Sequence, residues 1–237
     1  MEKSESGSPI YRYSENSEKA FEPASGESSI DEISDHIEKY VGNIDMVFHE
    51  LVSDKVHIDV HWVKPSAERP FHTLITSGMS DKPMKTPDDV EGNQYAELSI
   101  CLPKDWDLTE EGQNDENNYW PIRWLKYLAR FPHDYDTLLC FGHTIPNGDP
   151  AEPFADNTML NSALLLPTTV FDDSFRELEL DTKTIHFYTL IPLYSEEVSL
   201  KLRKGVEALY DKFDQHGIND IVDVNRKNTA KKRFSLF

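Results

Sequence analysis

Two stretches of the chain gather side chains that could do chemistry. In His57-Ile58-Asp59-Val60-His61-Trp62, strand alternation puts two imidazoles and a carboxylate on one face, donors that suit a divalent metal. The spacing works against one shared ion, because His57 and His61 lie four strand positions, about 13 Å, apart while metal bonds are ~2 Å long. The residues therefore predict an exposed polar face on a half-buried strand, and no metal. His72 reads as another alternating strand residue.

The second stretch, GHTIPNGDPAEPFADN at 142–157, combines His143, Asp149, Glu152, Asp156 and Asn157. A histidine beside carboxylates could do acid–base work or hold a metal that activates water. No nucleophile accompanies them: the chain has no GxSxG elbow, HExxH pair, GxxxxGK loop or GxGxxG after a strand. Pro146, Asn147, Gly148, Asp149 and Pro150 shape turns, and a long polar loop suits recognition of a partner. The expectation is a non-enzyme without a cofactor. A metal-dependent hydrolase using His143 and Asp149 is the alternative from a different class.

Charge narrows the partner. The 237 residues carry 24 Lys and Arg against 43 Asp and Glu, a formal net charge of −19. Five of the basic residues fall in 226–237, which holds no acid, so the preceding 225 residues carry 19 basic against 43 acidic, or −24. Such a field repels nucleic acid and anionic lipid and steers basic partners inward. The run Asp105–Glu116 holds six acids and no base; with Asp149, Glu152, Asp156, Asp172 and Asp173 it could form a negative surface facing a basic protein. Solubility alone also explains an acidic composition.

The elements that must position these residues follow from periodicity. Residues 1–28, rich in Ser, Glu, Gly and Pro, read as a mobile N-terminal arm in which Ile10, Tyr11 and Tyr13 could dock as a short edge strand. A domain is expected over 29–217 and a basic tail over 218–237. Ser29 and Glu32 have capping-box spacing, and Ile33, Ile37 and Val41 share a helical face, which predicts a helix over 30–41 stopped by Gly42. Strands are predicted at 56–63, 71–78, 95–102, 137–143, 161–167 and 183–193, with Met46, Val47 and Phe48 beginning a strand or a short helix. WPIRWLKYLARF predicts an amphipathic helix with Pro121 in its first turn and Pro132 beyond its end. A last helix starts at Ser195, with Glu196 and Glu197 near its positive end and a stripe of Val198, Leu202, Val206, Leu209 and Phe213 before Gly217. These elements alternate too irregularly for a wound βαβ fold. They predict one α+β domain with a mixed, mostly antiparallel sheet flanked by helices.

No segment reads as a leader or a membrane span, and Cys101 and Cys140 read as reduced core residues, so a soluble, cytoplasmic protein is expected.

Taken in order, GMSD at 78–81, YAELSICLP, ENNYWPIRWLKYLARFPHDYD, GHTIPNGDPAEPFADN with the ALLLP strand, and IHFYTLIPLYSEE resemble the suppressor-of-fused domain family over about residues 45–215. The resemblance implies a protein-binding α+β domain with no catalytic activity. Its larger animal members clasp a transcription-factor peptide between two lobes, and the resemblance implies that these residues correspond to the first. Its bacterial single-domain branch looks like immunity proteins that neutralise a toxin by direct binding. A basic toxin domain is then the expected partner, nuclease toxins being commonly basic, with a regulatory scaffold as the second reading. The animal tyrosine after Leu-Ala-Arg falls on Phe131 and the peptide-clasping aspartate on His143. Both positions are changed, and with Asp149, Glu152, Asp156 and Asn157 they mark where a partner groove is expected.

Overall fold

The β-branched and aromatic runs that flank Pro- and Gly-containing turns assemble one sheet, onto which the amphipathic helices lay their apolar stripes. The computed structural model describes residues 2–13, 21–50, 53–86 and 92–231. In chain order the elements are β1 (Glu2–Lys3), β2 (Pro9–Ile10), α1 (Ile30–Tyr40), β3 (Met46–Phe48), β4 (Asp59–Val63), β5 (Phe71–Ser77), β6 (Ala96–Pro103), α2 (Glu116–Tyr135), β7 (Thr144–Pro146), β8 (Ser162–Leu166), β9 (Glu177–Glu179), β10 (Thr184–Leu193), α3 (Ser195–Lys204) and α4 (Glu207–His216).

The sheet runs β3-β4-β5-β6-β10-β8-β7, with β9 on β10. The β6–β10 pair is parallel and the other pairings of this sheet are antiparallel, so the mixed, mostly antiparallel α+β domain is as expected. One face, carrying Val60, Trp62, Leu74, Leu98, Ile100 and Leu190, packs under α2 with Trp120, Leu125 and Leu128. The opposite face is divided. Val63, Ile75, Ile185 and Phe187 meet Ile33 and Ile37 of α1, while Leu164, Leu166, Ile191 and Leu193 meet Leu200, Leu209 and Phe213 of α3 and α4.

Coverage on both faces corrects the reading of Asp59 and His61 as part of an exposed polar stripe, while His57, just before β4, is exposed as expected. Asp59 and His61 are 2% and 1% exposed, and β4 begins only at Asp59. Alternation reports exposure only where one face of a sheet is bare.

Other boundaries move for local reasons. Residues 137–143 form a loop instead of a strand: Leu138 and Leu139 are buried anchors, and backbone bonds reach β8 only at the segment's end, from Gly142 N to Leu165 O (2.8 Å) and from Leu165 N to His143 O (3.0 Å). Helix α2 begins at Glu116, where Asp115 caps the Asn117 N–H, and it runs through both prolines to an αL cap at Asp136. Pro121 thus sits inside the helix, and Pro132 does not end it. Each proline forfeits one backbone bond in a helix anchored by tertiary packing. Ser29 occupies the N-cap position of α1 without a side-chain cap bond. The expected last helix is two, because Gly205, at φ 90° and ψ 171°, breaks it between Lys204 and Glu207.

The GMSD segment is explained by one buried carboxylate. Glu97 is fully buried on β6 and accepts from Thr76 Oγ1 (2.6 Å), Ser80 N (3.0 Å) and Ser80 Oγ (2.7 Å). Burial, outweighing these bonds, pushes its pKa up to about 7. Asp81 beside it is likewise raised by burial to about 6, against the pull of Lys183. The folded protein thus holds protons that the unfolded chain releases near pH 4.5. Stability from this site is present below that pH and is lost as pH rises through about 7, with a swing of up to about 3 kcal/mol. Thermal melts of the wild type are expected to fall across this window, and those of Glu97→Gln to be flatter and to cross above them near neutrality. Parallel pH profiles for the two proteins would refute the assignment.

Past α4 the chain returns to the sheet. Val222 N donates to Cys101 O (2.9 Å), and Asp220, 3% exposed, accepts from Thr168 Oγ1 and Thr169 N (2.8 and 2.7 Å). Residues 14–20 of the N-terminal arm and 232–237 of the basic tail lie outside the described residues.

Candidate functional site

Helix α2 is the spine of the site. Trp120 stacks on Phe154 with ring centroids 4.8 Å apart, and Trp124 meets the same ring edge-on at 4.9 Å. Phe154, 2% exposed, therefore pins the 142–157 loop against the helix. The loop closes on itself through Asn147 Nδ2, which donates to the carbonyls of Glu152 (2.8 Å) and Pro153 (3.0 Å). Asp149, Glu152, Asp156 and Asn157 are left exposed. Its far end reaches the start of α2, where Asn157 N donates to Asn117 Oδ1 (3.0 Å). Arg123 bridges there, donating to Phe154 O (3.2 Å) and pairing with Glu116.

This junction joins two acidic segments. All six acids of the 105–116 run are exposed, and that run ends where Asp156 and Asn157 arrive. Asp115 is spent on the α2 cap and Asp107 on the Thr109 N–H and hydroxyl. Asp172 and Asp173, grouped with these acids in the sequence reading, fall elsewhere. They open the short turn whose Phe175 packs against α1 on the opposite face of the sheet.

Two marked residues remain, Phe131 in the last turns of α2 and His143 at the start of the loop. Phe131, 7% exposed, packs at a tilt against Tyr135 at 4.6 Å and edge-on against Tyr127 at 5.9 Å. The chain's own N-terminal segment lies on this cluster: Tyr13 meets Phe131 edge-on at 5.2 Å and Tyr135 at 5.3 Å, and its hydroxyl is 2.5 Å from Thr137 Oγ1. The β1–β2 pair is a separate two-stranded sheet, and the turn between its strands is tied to α3 by Ser6 N donating to Leu202 O (3.0 Å). Arg12, held charged mainly by Glu2, also feels the field of Asp149.

His143 Nε2 lies 3.5 Å from Cys140 Sγ, a pairing that neither residue's setting turns into a nucleophile. Burial, helped by Lys201, lowers the imidazole pKa, and burial raises that of the thiol. Both groups are thus held neutral, the opposite of a thiolate–imidazolium pair. His143 and Asp149 belong to no common metal-ligand cluster; among the described residues one such cluster occurs, His49, His57 and Asp59. The sequence reading missed it because His49 comes from the neighbouring β3 edge, and no local spacing signals that pairing.

The geometry defines a class: an α+β fold in which one mixed sheet is covered by helices on both faces. The model of the suppressor of fused protein family matches residues 54–227, and the chain belongs to that family. Among solved structures, it is similar to a suppressor-of-fused homologue from Neisseria gonorrhoeae, with 20% identity, 85% of this chain and 97% of that chain covered, and a TM-score of 0.64. The structure of the Sufu-Fu complex matches at 16% identity over 86% and 93% of the two chains, with a TM-score of 0.60. Drosophila Suppressor of Fused matches at 17% identity and a TM-score of 0.57, covering 89% of this chain and 52% of that one. No curated protein matches. Among the described residues no helix is long and apolar enough to cross a membrane.

Proposed function

We propose that this chain is a non-enzymatic, cytoplasmic protein-binding domain that acts as an immunity protein, neutralising a basic toxin domain by direct contact. The observation that carries the reading is the exposure of all six acids of the 105–116 run and of Asp149, Glu152 and Asp156, with the run and the loop joined at the Asn117–Asn157 contact. These acids are set on a body of net −24. Such a surface attracts a basic partner at long range and rejects nucleic acid and anionic lipid. Family membership supports protein binding, since one relative is described in the Sufu-Fu complex.

The test is co-expression with the product of the adjacent reading frame, scored by co-purification and by rescue of growth. Reversing three exposed acids, in the triple variant Asp149→Lys, Glu152→Lys and Asp156→Lys, is expected to slow association by roughly tenfold or more at low salt, with the difference shrinking as salt rises. Rescue that survives the triple reversal at unchanged affinity would sink the acidic-face reading. A neighbour that is neither toxic nor bound would sink the immunity role.

One observation favours a second reading, a scaffold that sequesters a regulatory protein. The aromatic cluster around Phe131 already holds Tyr13 of the chain's own N-terminal segment, as it would a tyrosine-bearing peptide. Recovery of a regulator by pull-down from native lysate, without any toxin, would select that reading.

A further inference from the structure

The cluster left unused by the acidic face lies at the β3–β4 edge. Asp59, whose carboxylate is 3% exposed, faces two imidazoles, with His49 Nδ1 at 2.9 Å from Oδ2 and His57 Nε2 at 3.1 Å from Oδ1. The three donor atoms lie within 4.8 Å of one another. No Lys or Arg among the described residues forms an ion pair with Asp59; Lys126 on α2 feels its field from farther away. A buried carboxylate is costly without a cation beside it. Among the described residues its close charge-bearing partners are two imidazoles, 65% and 46% exposed on their side chains, which leave the outer side of the cluster open to water.

We propose that His49, His57 and Asp59 form a binding site for a divalent transition-metal ion of the zinc class. Two imidazole nitrogens and one carboxylate oxygen are a donor set that such ions accept at ~2.0–2.2 Å, with water completing the coordination. Each imidazole–carboxylate contact is now a proton bridge. On binding, the proton of each bridge moves to the other nitrogen of the same ring by exchange with solvent, the ion takes its place, and the freed nitrogen lone pairs and a carboxylate oxygen turn onto the metal. The surroundings suit the exchange. Ser53 Oγ lies 2.6 Å from His57 Nδ1, placed to accept an N–H there once Nε2 binds metal, and Glu50 N donates to Asp59 Oδ1 at 3.2 Å, which holds the carboxylate in place. The site lies outside the 105–157 acidic face and does not depend on the nature of the partner.

The test is titration of the tag-free, chelator-treated chain with Zn²⁺ by calorimetry, with Co²⁺ as a spectroscopic probe. One ion per chain is expected, together with visible Co²⁺ bands of a low-coordinate nitrogen and oxygen site. His49→Ala and His57→Ala remove largely exposed side chains and leave the far-UV circular dichroism unchanged. Each is expected to weaken Zn²⁺ binding by more than the roughly 10–100-fold that loss of an outer-shell partner costs. His216→Ala, at the end of α4, leaves binding intact. Absence of saturable Zn²⁺ binding and of Co²⁺ bands in the wild type, or retention of both in the two histidine variants, overturns the proposal.

Discussion

Arg226→Ala is expected to destabilise the fold by about 3–5 kcal/mol, the cost of leaving one partner of a buried ion pair uncompensated. For a chain of this size that lowers the melting temperature by roughly 6–20 °C. Glu197 is completely buried at the start of α3, and Arg226 is 8% exposed at its side chain. The guanidinium donates to both carboxylate oxygens, at 2.7 and 2.5 Å, and to Pro192 O at 2.7 Å, while lying over the rings of Tyr194 and Phe213. Burial alone would raise the Glu197 pKa. The bonds from Arg226, with those from Thr229 N and Tyr194 N, reverse this and hold it below the usual carboxylate value. Removing the arginine leaves Glu197 with neutral donors only. The double variant Arg226→Met, Glu197→Gln removes both charges and is expected to recover most of the loss. Thermal melts of the three proteins decide the matter. A single variant that melts with the parent would show the 218–230 segment to be a detachable extension.

That pair marks the limit of what the sequence discloses. The basic residues near the C-terminus look alike as letters, yet Arg226 is buried while Lys227 is exposed. The difference lies in a carboxylate 29 residues away, and no local pattern encodes it. The amphipathic stripe of α2 was legible because burial on one side imprints a period on the sequence, whereas β5, β6 and β10, buried on both faces, were legible as β-branched and aromatic runs bounded by turns. Residues 137–143 misled for the same reason in reverse. Leu138 and Leu139 are apolar because they anchor a loop, and their burial leaves the same letters as a strand. His49 illustrates a third limit: its partner Asp59 lies across the β3–β4 pairing, and strand pairing is a tertiary fact. Of the expected partner surface, the exposure of Asp149, Glu152, Asp156 and Asn157 agrees with a polar loop. Phe131 instead lies under Tyr13; the sequence marked Tyr13 as able to dock, but as part of an edge strand and not on this aromatic cluster.

Gly78→Ala is expected to be the most damaging single-methyl change in the chain, costing more than about 4 kcal/mol and in practice preventing soluble expression at 37 °C. Gly78 follows β5 at φ 100°, in the left-handed region where a side chain is strained by itself. A Cβ at this position would also collide with the carbonyl oxygen of His57. That obstacle is backbone, leading directly into β4, so no rotamer change relieves it. The turn it permits delivers Met79 into the main core and Ser80 onto Glu97, so a displaced turn also strips the buried carboxylate of two donors. The contrast is Gly142, also at positive φ (76°) but with open space where its Cβ would stand. Gly142→Ala carries only the conformational strain, about 1–2 kcal/mol. Denaturant melts of the two variants separate the causes: equal losses would mean that backbone strain alone sets the cost, whereas a Gly78 penalty at least twice that of Gly142 assigns the excess to the close approach of the His57 carbonyl.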